Sequence, residues 1–149
     1  MDNASQDSLN LAEGNLRLVL TCRSLSSAHG EYAPTYRFVI GVGDQEVGWI
    51  DLRVAESDFF VRFAGQIGYV IDPQFRGNRY ATRALRLLRP LARRHGLATL
   101  WITCNPENIA SRRTCELAGA SFVEIVDLPE DCEMYAAGER QKCRYRLAV

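Results

Sequence analysis

The apolar residues of this chain change their period once, near residue 80, and that change limits the folds open to it. From Ala81 they fall at positions 81, 84, 85, 88, 91 and 92, the spacing of a helix with one buried face. Arg83, Arg86, Arg89, Arg93 and Arg94 take the other side. Before residue 73 the apolar runs have the length and β-branched content of strands. Between the two regimes lies Arg76-Gly77-Asn78-Arg79-Tyr80-Ala81, which carries a strand straight into a helix start.

The spacing predicts strands over 16–22, 35–42, 45–54 and 59–72, an antiparallel meander of four. Gly43-Asp44 suits a hairpin turn. Residues 23–34 read as a loop, with Gly30 and Pro34 as breakers. Gly65 and Gly68 inside the fourth strand predict a bulge or a close backbone approach. The helix over 81–95 is predicted to kink at Pro90 and to end at Gly96. A strand over 98–104, a second helix within 105–120 stopped by Gly119, and strands over 121–128 and 142–149 follow. An acidic loop over 129–141 joins the last two strands. The strand, helix and strand at 67–104 form a βαβ unit with parallel strands and a right-handed crossover.

At 149 residues the chain makes one domain with a proper core. Residues 1–14 are polar and acidic and read as a loose tail, leaving 15–149 as the folded unit. That start lacks the basic and apolar regions of a signal peptide, and no run is long enough to cross a bilayer. No membrane partner is expected. Cysteines 22, 104, 115, 132 and 143 are odd in number and contain no Cys-x-x-Cys, so free thiols in a reducing, cytoplasmic setting are expected. With only His29 and His95 to help, no metal site is expected. A net charge of zero argues against nucleic acid, despite the arginine face of the first helix. Of the 18 basic residues, Lys142 is the only lysine.

A helix start presents unpaired N–H groups and partial positive charge, which suit an anion. Gly77 lets backbone approach a ligand, and Arg76, Arg79 and Arg83 add full charge. The loop reads as a phosphate or pyrophosphate seat. It is not a Walker loop, which needs a Gly-Lys-Ser/Thr ending, and it lacks the glycines of a dinucleotide fingerprint.

These residues resemble the signature loop of the GNAT N-acetyltransferases, Gln/Arg-x-x-Gly-x-Gly/Ala, with Arg76 in the first position and Ala81 in the last. Tyr80 also fits a frequent family form, while Arg79 replaces the middle glycine. Asn108 and Ser111 resemble the start of the family's second motif. The resemblance covers roughly residues 15–149. It implies an α/β (α+β) GNAT fold: a mixed, mostly antiparallel sheet of about seven strands, splayed between strands 4 and 5, with two main helices. It implies acetyl-CoA as co-substrate and direct acetyl transfer to a primary amine, a small molecule or a protein amine, in a ternary complex. The cofactor residues it implies are Arg76, Gly77, Asn78, Arg79, Tyr80, Ala81 and Thr82 around the pyrophosphate, backbone groups of Val70 and Ile71 along the pantetheine arm, and Asn108 and Ser111 on the facing helix. Arg79 fits this role if its φ is negative and its side chain points outward to a phosphate.

Many family members protonate the departing thiolate with a tyrosine, and Cys115 stands at the matching position; burial as a small apolar residue is the competing reading. Asp51 and Tyr69 are further catalytic candidates, as are Glu130, Asp131, Glu133 and Tyr135 in the acidic loop. That loop, with Glu139, would attract a cationic amine. His29 and His95 read as solvent histidines. The family usually places helices between its first two strands, and residues 23–34 are too short for them. Either the acceptor cleft is unusually open or a second subunit, a homodimer, completes it. A non-catalytic acyl-CoA sensor on the same fold is the alternative function.

Overall fold

The computed structural model describes residues 11–149. Strands β1 (Ala12–Glu13), β2 (Leu16–Ala28), β3 (Glu31–Val42), β4 (Gln45–Arg53) and β5 (Ile67–Ile71) form one antiparallel sheet in chain order. Strands β6 (Thr99–Cys104), β7 (Ser121–Asp127) and β8 (Gln141–Ala148) form a second antiparallel sheet, in the order β6-β8-β7. Helices α1 (Tyr80–Leu87) and α2 (Arg89–Arg94) lie between β5 and β6, α3 (Ile109–Leu117) precedes β7, and the single turn α4 (Glu133–Ala136) precedes β8. Ala84, Leu85, Leu88 and Ala92 pack with Leu16, Ile40, Ile50, Leu100 and Tyr145 in one main core that spans both sheets.

Four local expectations change. Residues 23–34 are not a loop: β2 and β3 continue to a two-residue turn, His29-Gly30, with Ala28 opposite Glu31. Both turn residues have positive φ (51° and 74°), the twist that favours a tight hairpin. Pro34 is tolerated because its carbonyl accepts from Val54 just past the end of β4, where a missing N–H disturbs no ladder. The strand over 59–72 is cut short, because Phe60–Ala64 is a π-type helical turn and β5 begins only at Ile67. Its Phe63 joins Phe59, Val126, Leu128 and Cys132 in a smaller satellite core, so burial there serves a turn and not a strand. The helix over 81–95 breaks at Leu88, with Pro90 in the first turn of α2 where it needs no N–H partner. Finally, Leu11 packs in the core and β1 pairs with β2, so residues 11–14 belong to the fold; the rest of the expected tail, 1–10, lies outside the described residues.

The hydrogen-bond ladder stops between β5 and β6. They are neighbours without being a paired parallel ladder. Gln66, 1% exposed, holds the point where they meet. Its backbone N–H donates to Trp101 O at 2.8 Å, its Oε1 accepts from Trp101 N–H at 2.8 Å, and its Nε2 donates to Ala55 O at 2.7 Å. Gly65 sits beside this clamp with φ +77°, and a Cβ there would stand 3.0 Å from Thr103 Oγ1. The close approach expected at that glycine is therefore a contact with β6. Beyond the clamp the two strands part.

Candidate functional site

The parting of β5 and β6 opens a cleft of about 830 Å³. The loop 76–82 and the start of α1 close one end, and α3 forms a wall. Arg53, Ala64, Thr103, Glu139 and Lys142 line it as well. Arg53 and Ala64 also line a second cavity of about 340 Å³, with Ser26, Ser27, His29, Arg37, Asp51 and Glu133. The two cavities therefore share a border.

The loop is shaped for an anion by backbone. The first helical bond of α1 runs from Arg83 N–H to Arg79 O, so the amides of Arg79 to Thr82 have no helical partner. No side chain caps this helix. Asn78 Nδ2 donates to Phe75 O at 3.0 Å and Arg76 Nε donates to Ile71 O at 3.0 Å, and both bonds hold the loop closed. Gly77 has φ +87°.

Arg79 departs from the sequence reading. Its φ is +61° with ψ 24°, the left-handed region, and not the negative φ that its side chain favours. The chain must enter α1 through this conformation, and a glycine would adopt it without strain. Arg79→Gly should therefore raise Tm by a few degrees, from about 1 kcal/mol of relieved strain. If the guanidinium meets a phosphate, the same variant should bind acetyl-CoA about tenfold more weakly, the worth of roughly one charge-assisted hydrogen bond. Tighter binding, read by calorimetry, would overturn that role for Arg79.

The alternation of the β4–β5 ladder sets which backbone groups face the cleft. Arg53 N–H to Gln66 O and Asp72 N–H to Val47 O fix its two ends. In between, Gly68 and Val70 bond to β4, and Ile67, Tyr69 and Ile71 turn their N–H and C=O groups toward β6. Val70 lines the cleft, but its backbone groups are tied to β4. Tyr69 and Ile71 supply the outward ones.

All eleven cofactor candidates, from Val70 to Ser111, line this one cleft. Asn108 also caps α3: its Oδ1 accepts from Ser111 N–H at 3.1 Å. The three catalytic candidates do not stay together. Tyr69 lines the cleft, and its hydroxyl meets Ser111 Oγ at 2.9 Å across the opening. Burial pushes the Tyr69 phenol above its ordinary value. Cys115 is fully buried on the core face of α3 and is absent from the lining. Burial, with Cys104 nearby, pushes its thiol up to about 12, which suits a neutral apolar filler. Asp51, 4% exposed, lies in the second cavity, held by Arg37 through Nε–Oδ1 at 2.7 Å and a second N–H to Oδ2 at 2.8 Å.

Of the acidic loop, Glu133 lines the second cavity and Glu139 the first. Burial alone would raise the Glu139 carboxyl, but hydrogen bonds from Lys142 and Asn105 and the Lys142 charge hold it below the ordinary range. His29 is not a simple solvent histidine: it stacks on Phe59 at 4.8 Å and lies 3.7 Å from Asp131. His95 packs on Tyr36, and burial lowers its pKa. Sequence reading missed Gln66, Arg53, Asn105 and Lys142, because partners such as Trp101 for Gln66 and Lys142 for Asn105 are distant in the chain and meet them only in the folded protein. Among the described residues, no cluster of His, Cys, Asp and Glu is arranged for a metal, and no helix is long and apolar enough to cross a membrane.

A family model described as an Acetyltransferase (GNAT) domain matches residues 10–121, well over half the chain. The chain belongs to the GNAT acetyltransferase family. Solved GNAT structures share its fold. The microcin C7 self-immunity acetyltransferase MccE, in complex with acetyl-CoA and AMP, has a TM-score of 0.60 at 17% identity, over 77% of this chain and 61% of that one. RimL, the ribosomal L7/L12 alpha-N-protein acetyltransferase, in complex with coenzyme A, gives 0.60 at 17% identity over 77% and 62%. An acetyltransferase from Salmonella typhimurium that modifies the N-terminal serine of L7/L12 gives 0.60 at 18% over 77% and 64%. At such identities the likeness is one of fold, and this GNAT chain spans under two thirds of the length of each. A search of curated protein sequences finds no match.

Proposed function

We propose that this GNAT domain transfers the acetyl group of acetyl-CoA to a primary amine by direct attack. One observation carries the reading: a single cleft, bordered by uncapped helix amides and outward strand amides, holds all eleven residues of the cofactor motif. The neighbours solved with acetyl-CoA and CoA support it. When bound, acetyl-CoA supplies an activated acyl group. The amides of residues 77–82 would hold its pyrophosphate, and the outward N–H groups of Tyr69 and Ile71 with the Tyr69 C=O its pantetheine arm, the Ile71 C=O being taken by Arg76. A fixed N–H donor in that row is the kind of group that stabilises charge on a carbonyl oxygen.

Tyr69, protonated and aimed into the cleft, takes the proton-donor role in place of Cys115, with Ser111 Oγ beside it. Asp51 keeps Arg37 in place instead of taking a proton, because both its oxygens are engaged. The acceptor enters by the second cavity, where Glu133 draws a cation. A protein N-terminus is the first acceptor class to test, since the RimL neighbour is named for an alpha-N-protein activity.

Acetyl-CoA at about a hundred times its Kd should stabilise the chain by roughly 2.7 kcal/mol. That is a Tm rise of several degrees, at about 2–4 °C per kcal/mol. An amine screen for thiol release then tests turnover. No Tm rise in folded protein would overturn the reading. A rise with no thiol release from any amine would favour the acyl-CoA sensor instead.

A further inference from the structure

We infer that Lys142 is itself an acetylation site, modified by acetyl-CoA in the chain's own cleft; the inference rests on the acetyl-CoA reading above. Lys142 is the only lysine among the 18 lysine and arginine residues, and the arginines stay protonated and do not serve as amine nucleophiles. That one side-chain amine is not on the surface. It is 8% exposed and lines the same cleft as the cofactor motif.

Its position follows from the register of β8. Cys143, Tyr145 and Leu147 point into the main core, on the side of α3. Lys142 and Arg144 alternate to the other face, where Arg144 donates to Val61 O in the π-type turn. Lys142 thus reaches the cleft from the side opposite α3. Its Nζ donates to Asn105 Oδ1 at 2.7 Å and to Glu139 Oε1 at 2.9 Å. Asn105 directly follows β6, one lip of the opening, so the amine is fixed at that lip. An amine held beside a bound thioester reacts at a high effective concentration. Glu139 lies at hydrogen-bond distance from the proton that must leave.

The step balances without an oxidant. One ammonium proton passes to water by way of Glu139, whose carboxyl is held below the ordinary range and does not keep it. The neutral Nζ then attacks the thioester carbonyl carbon, the C–N bond forms, and the C–S bond breaks. The second nitrogen proton leaves with the sulfur as CoA thiol. Acetyl-Lys142 carries no charge, so Glu139 loses its cation and keeps only its bond from Asn105 at the cleft. A cationic amine acceptor should then bind more tightly.

The test uses the full chain, acetyl-CoA with a deuterated acetyl group, and no added amine, with label located by peptide mass spectrometry and Tm recorded on the same sample. The expected result is label on Lys142, formed about tenfold faster or more than in the same chain unfolded in urea. Glu139→Gln, which keeps the lysine, should slow labelling about tenfold. Lys142→Arg should carry none; a misfolded Lys142→Arg would leave the Glu139→Gln rate as the decisive comparison. Unlabelled Lys142 in a sample whose Tm acetyl-CoA has raised overturns the inference and leaves the cofactor reading intact. Unlabelled Lys142 with no Tm change overturns both. Equal labelling of folded and unfolded chain, or label on the terminal amine alone, also overturns the inference.

Discussion

Gln66→Leu should lower Tm by roughly 5–15 °C, because it breaks the clamp at the point where the two sheets meet. The replacement has similar volume, so the loss is not a cavity effect. It leaves Trp101 N–H and Ala55 O without their partners at a place where Gln66 is 1% exposed. Each unmade buried bond costs about 1–3 kcal/mol, against a total stability of about 5–15 kcal/mol for a domain. At about 2–4 °C per kcal/mol the sum reaches the stated range. The variant should also bind acetyl-CoA more weakly than its stability loss alone explains, because Gln66 ties the lips of the cleft together from both sheets. Thermal unfolding with and without acetyl-CoA measures both effects. A Tm within about 1 °C of the parent would mean that water replaces the clamp and that the sheets are joined elsewhere.

Tyr69→Phe should reduce kcat about 100-fold, the lower end of what a positioned proton donor contributes, with little change in the Kd for acetyl-CoA. The ring remains to line the cleft, and only the hydroxyl and its bond to Ser111 Oγ are lost. That split between kcat and Kd distinguishes proton donation from packing. Burial holds the Tyr69 pKa above its ordinary 10.0, so the phenol keeps its proton through neutral and mildly alkaline pH. Its folded pKa is raised, so the stability it contributes is fully present below pH 10 and is lost as pH rises through the folded value. The alkaline fall in kcat due to Tyr69 should likewise lie above pH 10 and disappear in the phenylalanine variant. A kcat within about threefold of the parent would assign protonation of the sulfur to water.

Much of the scaffold was legible because its signals are local. The helical period at 81–92, the glycine stop at Gly96 and the proline break each depend on a few neighbouring residues. The loop at 76–82 announced an anion seat from residue types alone, and in the structure the amides of Arg79 to Thr82 have no helical partner. The failures were also local in cause. Phe59, Phe60 and Phe63 read as strand by propensity, but a helical turn runs from Phe60 to Ala64 and a satellite core takes Phe59 and Phe63. Residues 23–34 looked like loop because their strands have little burial; cross-strand bonds such as Thr35 Oγ1 to Ser26 Oγ at 2.6 Å support them instead.

The sequence by itself determined the family, the helix-strand-helix order after residue 80, though not the short helix Glu133–Ala136 inside the expected loop, and the residue types of the loop at 76–82. All of these are written in short spacings, over which backbone geometry is nearly fixed. Only the tertiary structure decided which chemistry-bearing side chains share a space. It buried Cys115, locked Asp51 to Arg37, turned Tyr69 into the cleft, and gave Arg79 a left-handed backbone. It also joined Gln66 to Trp101 and Lys142 to Asn105 across separations of 35 and 37 residues. Such contacts depend on how two sheets meet and part, and no local spacing encodes that.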